Sequence, residues 1–284
     1  MRVLVTGAGG QLGREVVDAF VAAGSHHEVL ACSHGLLDVG DRDSTMQVIG
    51  TFGPDAVVHA AAWTDVDGCE TDPDRAWKVN ALGTRHVAEA ARRADASVCY
   101  VSTDYVFDGT GDRPYHEWDD TNPLSVYGRS KGAGESALGP DDTILRTSWV
   151  CGRHGHNFVK TVLRLVGAGR EMKVVDDQHG CPSFADDLAG MIYRLVVGRR
   201  PGLFHVTNQG PTTWYRFAAD IAAAAGLDPG LVRPIPTAEL QPARPAPRPA
   251  NSVLDNAALR LSGIPLLDDH HVPLERLVKE LTAS

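Results

Sequence analysis

The chain opens with a short apolar run, Arg2 to Thr6, which leads into Gly7-Ala8-Gly9-Gly10-Gln11-Leu12-Gly13 and on into an amphipathic stretch from Gln11 to Ala23. Strand, glycine turn and helix in that order constrain the fold more than any other feature, because such a unit buries its apolar surface only inside a layered α/β sheet. Gly7, Gly10 and Gly13 allow a tight turn and a close approach of the backbone to a pyrophosphate at the helix N-terminus. The alternation continues. Apolar runs at Glu28 to Cys32, Ala56 to Ala60, Ser97 to Ser102 and Thr143 to Thr147 are interleaved with helical patterns at Asp74 to Arg93 and Ser125 to Leu138. Continuous apolar runs are what parallel strands covered on both faces require. The expected fold is α/β, a Rossmann-type doubly wound parallel sheet. Residues 1–148 form its dinucleotide-binding domain, with parts of the later chain packing back on it.

Residues 149–284 read as a smaller mixed lobe, mainly for substrate binding. Helices are expected at His156 to Val166, Phe184 to Val197 and Trp214 to Ala225, with a short strand at Leu203 to Val206. The Pro-rich segment Arg233 to Pro249 can be neither helix nor central strand. It is a surface linker or a loop that folds over a ligand. Further helical stretches near Asn256 to Leu261 and Leu274 to Leu281 close the chain. In an open α/β sheet the ligand lies at the carboxyl ends of the strands. Thr6-Gly7, Ala60-Ala61-Ala62, Ser102-Thr103 and Thr147-Ser148-Trp149 all follow strands at that edge.

The net charge of −9 argues against a nucleic-acid partner, which would call for a basic stripe. An anionic ligand would have to be met by local Arg residues or helix N-termini. Cys32, Cys69, Cys99, Cys151 and Cys181 are odd in number and lack CxxC spacing, so neither a disulfide framework nor a structural zinc site is expected from them. A reducing cytoplasm is the expected compartment. The first strand leaves no room for a signal peptide ahead of it. No apolar stretch approaches the roughly 20 residues that cross a bilayer.

The chemistry is carried by Tyr127-Gly128-Arg129-Ser130-Lys131. A Tyr and a Lys four apart share one helix face. The ammonium beside the phenol is expected to lower a phenol pKa of about 10 toward neutrality. Thr103 follows the fourth strand and can polarise a carbonyl beside the phenol. Asp38, after the second strand, is either an acceptor for an adenine amino group or an ordinary helix-flanking acid. Ser33-His34 stand where an acid would hold the ribose hydroxyls of NAD, which permits NADP. Trp149 is either core or a stacking surface for a sugar or base. Arg248 is either a solvated charge or a guanidinium fork for a diphosphate.

At these residues the chain resembles the dTDP-4-dehydrorhamnose reductase family of the extended short-chain dehydrogenase/reductase superfamily. The resemblance rests on residues 7–13, Ala60-Ala-Ala-Trp-Thr-Asp-Val-Asp67, Ser102-Thr-Asp-Tyr-Val-Phe-Asp-Gly109, Pro123-Leu-Ser-Val-Tyr-Gly-Arg-Ser-Lys131, Arg146-Thr-Ser-Trp149 and Arg248-Pro-Ala-Asn-Ser252. It implies reduction of the C4 ketone of dTDP-4-dehydro-L-rhamnose to dTDP-L-rhamnose by NADPH, with NADH as an alternative donor. Another dTDP-4-keto-6-deoxysugar, as in dihydrostreptose formation, is the variant reading. It assigns Tyr127 as proton donor, Thr103 as its partner at the carbonyl, and Lys131 to the nicotinamide ribose. Asp104, Trp149 and Arg248 would contact the sugar nucleotide. Gly7, Gly10, Gln11, Leu12, Gly13, Asp38, Val39, Ala62, Trp63, Thr64, Tyr127 and Lys131 would line the cofactor, with Trp63 where some relatives carry His. Some relatives form a magnesium-bridged homodimer. Glu15 and Asp186 are candidate counterparts here, but no third ligand can be placed, so no metal site is assigned, and magnesium and a homodimer stay open. A non-catalytic nucleotide-binding subunit, like the β subunit of methionine adenosyltransferase, and an epimerase or dehydratase are the rival readings. Intact Thr103, Tyr127 and Lys131 argue against the former.

Overall fold

The computed structural model describes residues 1–283. The first half alternates β1 (Arg2–Thr6), α1 (Gln11–Ala22), β2 (Glu28–Cys32), α2 (Arg42–Phe52), β3 (Ala56–His59), α3 (Val66–Thr71), α4 (Pro73–Ala76), α5 (Gly83–Arg93), β4 (Ser97–Thr103), α6 (Val126–Glu135) and β5 (Thr143–Thr147). The second half runs β6 (Val150–Cys151), α7 (Phe158–Gly167), β7 (Met172–Val175), β8 (His179–Gly180), β9 (Ser183–Phe184), α8 (Ala185–Val197), β10 (Gly202–His205), β11 (Thr212–Thr213), α9 (Trp214–Ala224), β12 (Val232–Ile235), α10 (Ala257–Leu261) and α11 (His271–Thr282).

Six strands form one parallel sheet in the order β10-β5-β4-β3-β1-β2. From β1 the chain winds outward to β2, then crosses back to β3 on the other side of β1. A crevice opens at the carboxyl ends of the strands at that reversal. Val3, Val5, Val16, Phe20, Leu188 and Ile192 fill the core between one sheet face and α1 and α8. Leu4, Ile49, Val57, Val87 and Tyr100 fill the other, under α2 and α5. The smaller C-terminal lobe has its own apolar cluster, in which Val159, Val162, Phe217, Ile221, Leu274 and Val278 join α7, α9 and α11. Three elements of the second half, α8, β10 and α10, belong to the sheet layer.

Several elements depart from the sequence expectation, and three of them are informative. The helix α2 was not expected. Its buried face consists of Thr45 and Ile49 alone, and its ends are set by caps: the Asp41 side chain accepts from the Ser44 N–H, and Gly53 stops it at φ 57°. The expected helix from Asp74 to Arg93 is not uniformly α. Trp77–Leu82 is a π-helical turn between α4 and α5, and it carries the fully buried Asn80. The Pro-rich segment begins with a strand. Parallel β12 pairs only with β7, so Pro234, opposite Val174, lies on a two-stranded edge where its missing N–H costs no ladder bond.

Two glycines give opposite predictions. An added Cβ on Gly128 would overlap the Tyr105 carbonyl. Gly128→Ala should therefore lower the unfolding free energy by about 1–3 kcal/mol and displace Tyr127. Gly190 sits inside α8, exposed, with nothing near its missing Cβ. Gly190→Ala should raise stability by about 0.4–1 kcal/mol. Urea denaturation of both variants checks the pair.

Candidate active site

The glycine turn meets the steric demands of a dinucleotide cradle. A Cβ on Gly7 would lie 2.7 Å from the Ala61 nitrogen, and one on Gly13 would overlap the Gly7 carbonyl. Gly7 also has φ 68°, the left-handed region. Gly10 precedes α1 without a side-chain cap, so the first-turn N–H groups of Gln11, Leu12 and Gly13 remain for an anionic ligand. These residues fit the diphosphate of a nicotinamide dinucleotide. The Gln11 side chain is turned to the lobe: its Nε2 donates to the Val150 carbonyl at 2.9 Å, and its Oε1 accepts from Asn157 at 2.7 Å. Asp38 accepts from the Gly40 N–H at 2.9 Å, and Val39 is buried in the core beneath α5.

Ala62, Trp63 and Thr64 follow β3. The Trp63 N–H donates to Asn80 Oδ1 at 2.8 Å, and Asn80 Nδ2 returns a bond to the Trp63 carbonyl and another to Ser130 Oγ. The π turn thus puts one buried amide between the loop after β3 and the helix that carries Tyr127. Arg75 covers the Trp63 ring, 4.4 Å from its centroid.

Thr103 ends β4 and caps the turn behind it. Its Oγ1 accepts from the Tyr105 N–H at 3.2 Å and donates to Asp104 Oδ1 at 3.0 Å. Asp104 is 1% exposed, and its Oδ2 has no hydrogen-bond partner among the described residues. Burial pushes its carboxyl up to about 6, against the pull of the Ser252 and Thr103 hydroxyls. Tyr127 is buried beside them, edge-on to Tyr105 at 5.7 Å.

The electrostatics correct the expectation for the Tyr–Lys pair. Burial raises the Tyr127 phenol above its ordinary value, although the Thr103 side chain pulls it down; Asp104 adds to the rise. Lys131 is itself buried, and its Nζ donates to the Val101 carbonyl at 2.7 Å and lies 4.1 Å from the Tyr100 ring centroid. Desolvation lowers its ammonium to about 7, with Glu135 opposing. The phenol is therefore neutral at pH 7, held as a proton donor.

Glu135, one turn beyond Lys131, takes a bidentate bond from Arg146 of β5 (2.9 and 2.7 Å) and a hydroxyl bond from Ser102 of β4. Both members of this pair are nearly excluded from water, with side chains 11% and 5% exposed. Sequence reasoning missed Asn80 and Glu135 as positioning residues. The available signals were an Asn inside a helical pattern and an acid one turn beyond the Lys.

A cleft of about 590 Å³ separates the sheet's edge from the lobe, lined among others by Thr64, Asp67, Tyr105, Lys173, Arg244 and Arg248. Arg248 is engaged: its guanidinium forks onto Asp67 at 3.0 and 2.9 Å and also donates to the Ala246 carbonyl. Burial works to raise Asp67, but Arg248 outweighs it and holds the carboxyl below its usual range. Trp149 has φ 46° and stacks on Trp214, ring centroids 3.7 Å apart, so that face of the indole is taken. A second cleft of about 560 Å³, between Arg92, Asp142 and Arg199, lies at the opposite edge of the sheet and contains none of the expected site residues.

Glu15 and Asp186 line a third, smaller cavity. Arg153 forks onto Glu15 at 2.8 and 2.9 Å, and Arg276 donates to Asp186 at 3.0 Å. Paired with guanidinium groups, these carboxylates do not present the open oxygen set that magnesium takes.

The reversal-point cradle, with a buried hydroxyl–phenol–lysine group beside it, defines a nicotinamide-dependent oxidoreductase on a doubly wound sheet. A family model described as RmlD substrate binding domain matches residues 1–283. The chain is 42% identical over 272 residues to dTDP-4-dehydrorhamnose reductase of Streptomyces griseus, covering 93% of this chain and 88% of that protein. It is also 42% identical over 267 residues to dTDP-4-keto-6-deoxy-D-glucose reductase of Streptomyces niveus, covering 93% and 91%. The crystal structure of dTDP-4-dehydrorhamnose reductase from Bacillus anthracis str. Ames, in complex with NADP, aligns with a TM-score of 0.92 and 36% identity over 98% of this chain and 99% of that one. The chain belongs to the dTDP-4-dehydrorhamnose reductase family, within the extended short-chain dehydrogenase/reductase superfamily, and is an NAD(P)H-dependent oxidoreductase. No described helix is long and apolar enough to cross a membrane.

Arg146→Met should leave Glu135 buried without its cation and lower the unfolding free energy by about 3–5 kcal/mol. Adding Glu135→Leu should recover part of that loss. Urea midpoints of the single and double variants measure it.

Proposed function

We propose that this protein reduces the C4 ketone of dTDP-4-dehydro-L-rhamnose to dTDP-L-rhamnose. The observation that carries this reading is the convergence of Thr103, Asp104 and Tyr127 at the carboxyl end of β4, with a buried Asp104 oxygen left over for a ligand. When bound, the reduced nicotinamide supplies hydride to the ketone carbon. The Thr103 hydroxyl turns from Asp104 to the ketone oxygen. Tyr127 Oη gives its proton to that oxygen as the negative charge develops, so hydride and proton together complete the alcohol. Asp104 accepts from a sugar hydroxyl and fixes which face of the ring meets the hydride. Lys131 holds the ribose and, through it, the reacting geometry. Lys173, Arg244 and Arg248 meet the diphosphate in the cleft, and residues 149–284 serve mainly as the substrate lobe. The second reading is another dTDP-4-keto-6-deoxysugar. It is favoured by the equal identity to the Streptomyces niveus enzyme named for a D-glucose derivative.

The test follows loss of the reduced-nicotinamide absorbance with dTDP-4-dehydrorhamnose made in place by a dehydratase and a 3,5-epimerase. Turnover that requires the epimerase and yields dTDP-rhamnose supports the first reading. Turnover with the unepimerised 4-keto sugar alone selects the second. Failure of both, with cofactor bound, overturns the reductase assignment for this sugar class.

Two variants test the roles. Tyr127→Phe should lower kcat by about 10²–10⁴-fold with cofactor binding and thermal unfolding unchanged. Asp104 is ionised above about 6 and protonated below it. A charge-assisted bond to the sugar is then lost as pH falls, so kcat/KM should decline through that value. In Asp104→Asn the decline should vanish and KM should be high at every pH.

A further inference from the structure

Within the lobe, Asp220 of α9 faces His270 and His271 at the start of α11. One ligand atom from each lies within 4.8 Å of the other two. The Asp220 Oδ2 atom is 3.5 Å from His271 Nε2 and 4.0 Å from His270 Nε2. Tetrahedral zinc with bonds of about 2.0–2.2 Å places its ligand atoms roughly 3.3–3.5 Å apart; the Asp220–His271 pair is already at that spacing and the Asp220–His270 pair is about half an ångström beyond it. His271 is half exposed and Asp220 partly so, which leaves a way in for an ion.

The atoms behind the imidazoles are arranged as a metal site requires. His271 Nδ1 is 2.7 Å from Asp269 Oδ1, and His270 Nδ1 is 3.2 Å from the Gln209 carbonyl. Each contact favours the proton on Nδ1 and leaves Nε2 as the ligand atom, the outer-sphere pattern of histidine–zinc centres; the two rings lie 4.1 Å apart, tilted by 30°. Gly210, at φ 87°, permits this close approach. A Cβ there would fall 2.6 Å from Asp269 Oδ2 and 2.9 Å from His270 Nδ1. The His270 side chain is 3% exposed, and its Nε2 is buried without a hydrogen-bond partner among the described residues. A proton is the competing occupant. Burial opposes charge on His270, but Asp220 and the Gln209 carbonyl outweigh it and favour the imidazolium.

The comparable group of Glu15, Asp18 and His154 is already filled. The Arg153 guanidinium contacts both carboxylates at 2.8 Å and lies 3.2 Å from His154. No guanidinium or ammonium stands among Asp220, His270 and His271 in the contacts of the described residues.

We propose that Asp220, His270 and His271 form a site for a divalent transition metal, zinc by preference, that clips α9 to the start of α11. Two nitrogen donors and one carboxylate select zinc over magnesium or calcium, which take oxygen sets. The fourth position faces solvent and takes water. The role is structural: the ion ties together two helices whose apolar faces, through Phe217 and Leu274, already share the lobe's core.

Chelator-stripped, untagged protein titrated with zinc chloride in a calorimeter should bind one equivalent with a raised unfolding midpoint. Cobalt in its place should give the visible absorption of a four-coordinate ion. His271→Ala and Asp220→Asn should each weaken binding by at least about 10-fold, and Asp269→Asn by about 10–100-fold. Reductase activity should remain in all three. Absence of saturable binding overturns the site and leaves a His–Asp proton pair. Zinc binding unchanged in His271→Ala and Asp220→Asn also overturns it.

Discussion

The buried Glu135–Arg146 pair is the constraint on which the arrangement of the active site depends. The helix α6 must be held in one position against β4 for Tyr127 to stand beside Thr103. Apolar packing alone does not fix that position along the sheet, because an apolar face can slide. A bidentate carboxylate–guanidinium bond, shared with the Ser102 hydroxyl, has one geometry. Such a pair is poor evidence of net stability, since desolvation offsets most of its attraction. Its effect is on register. The close approach there explains Gly134 of α6. A Cβ on Gly134 would lie 2.6 Å from the Tyr100 hydroxyl and 2.8 Å from the Asn80 carbonyl.

The same close packing sets the protonation of the site. His59, fully buried between the Thr6 and Thr84 hydroxyls, is pushed down to about 3 by desolvation and stays neutral. Lys131 falls toward neutrality, while Tyr127 and Asp104 rise. Burial explains all four shifts, each favouring the uncharged form. For ketone reduction this is a useful bias. A neutral phenol holds its proton until charge appears on the substrate oxygen, and in a dry site that charge is felt strongly.

Much of this was legible in the sequence, for identifiable reasons. The sheet was readable because strands buried on both faces are apolar without interruption, as at Val3-Leu4-Val5 and Ala56-Val57-Val58. The cradle was readable because backbone crowding at Gly7 and Gly13 admits no side chain. The helix α2 was not, because its apolar face is thin and its caps at Asp41 and Gly53 carry the information. The π turn at Trp77–Leu82 was hidden because its cause, Asn80 reaching Trp63 and Ser130, involves residues up to 50 positions apart. The sign of the Tyr127 shift was misread for a similar reason. Spacing shows that Lys131 shares a face with Tyr127, but not that the Val101 carbonyl takes its ammonium or that burial sets the direction of the phenol's shift.

On the proposed function, the cleft is where an acidic chain would receive an acidic ligand. The net charge of −9 repels a nucleoside diphosphate at long range, and at physiological salt that field is screened within about 8 Å. Inside the cleft, Lys173, Arg244 and Arg248 face Asp65 and Asp67, a local balance of opposite sign to the whole. The bond between Arg248 and Asp67 does not cancel that advantage. It fixes the guanidinium before the ligand arrives, so less side-chain freedom remains to be lost on binding. Arg248 and Asp67 lie 181 positions apart, and their contact ties the Pro-rich segment to α3 at the mouth of the crevice. That segment is therefore part of the cleft wall as well as the connection from β12 to α10.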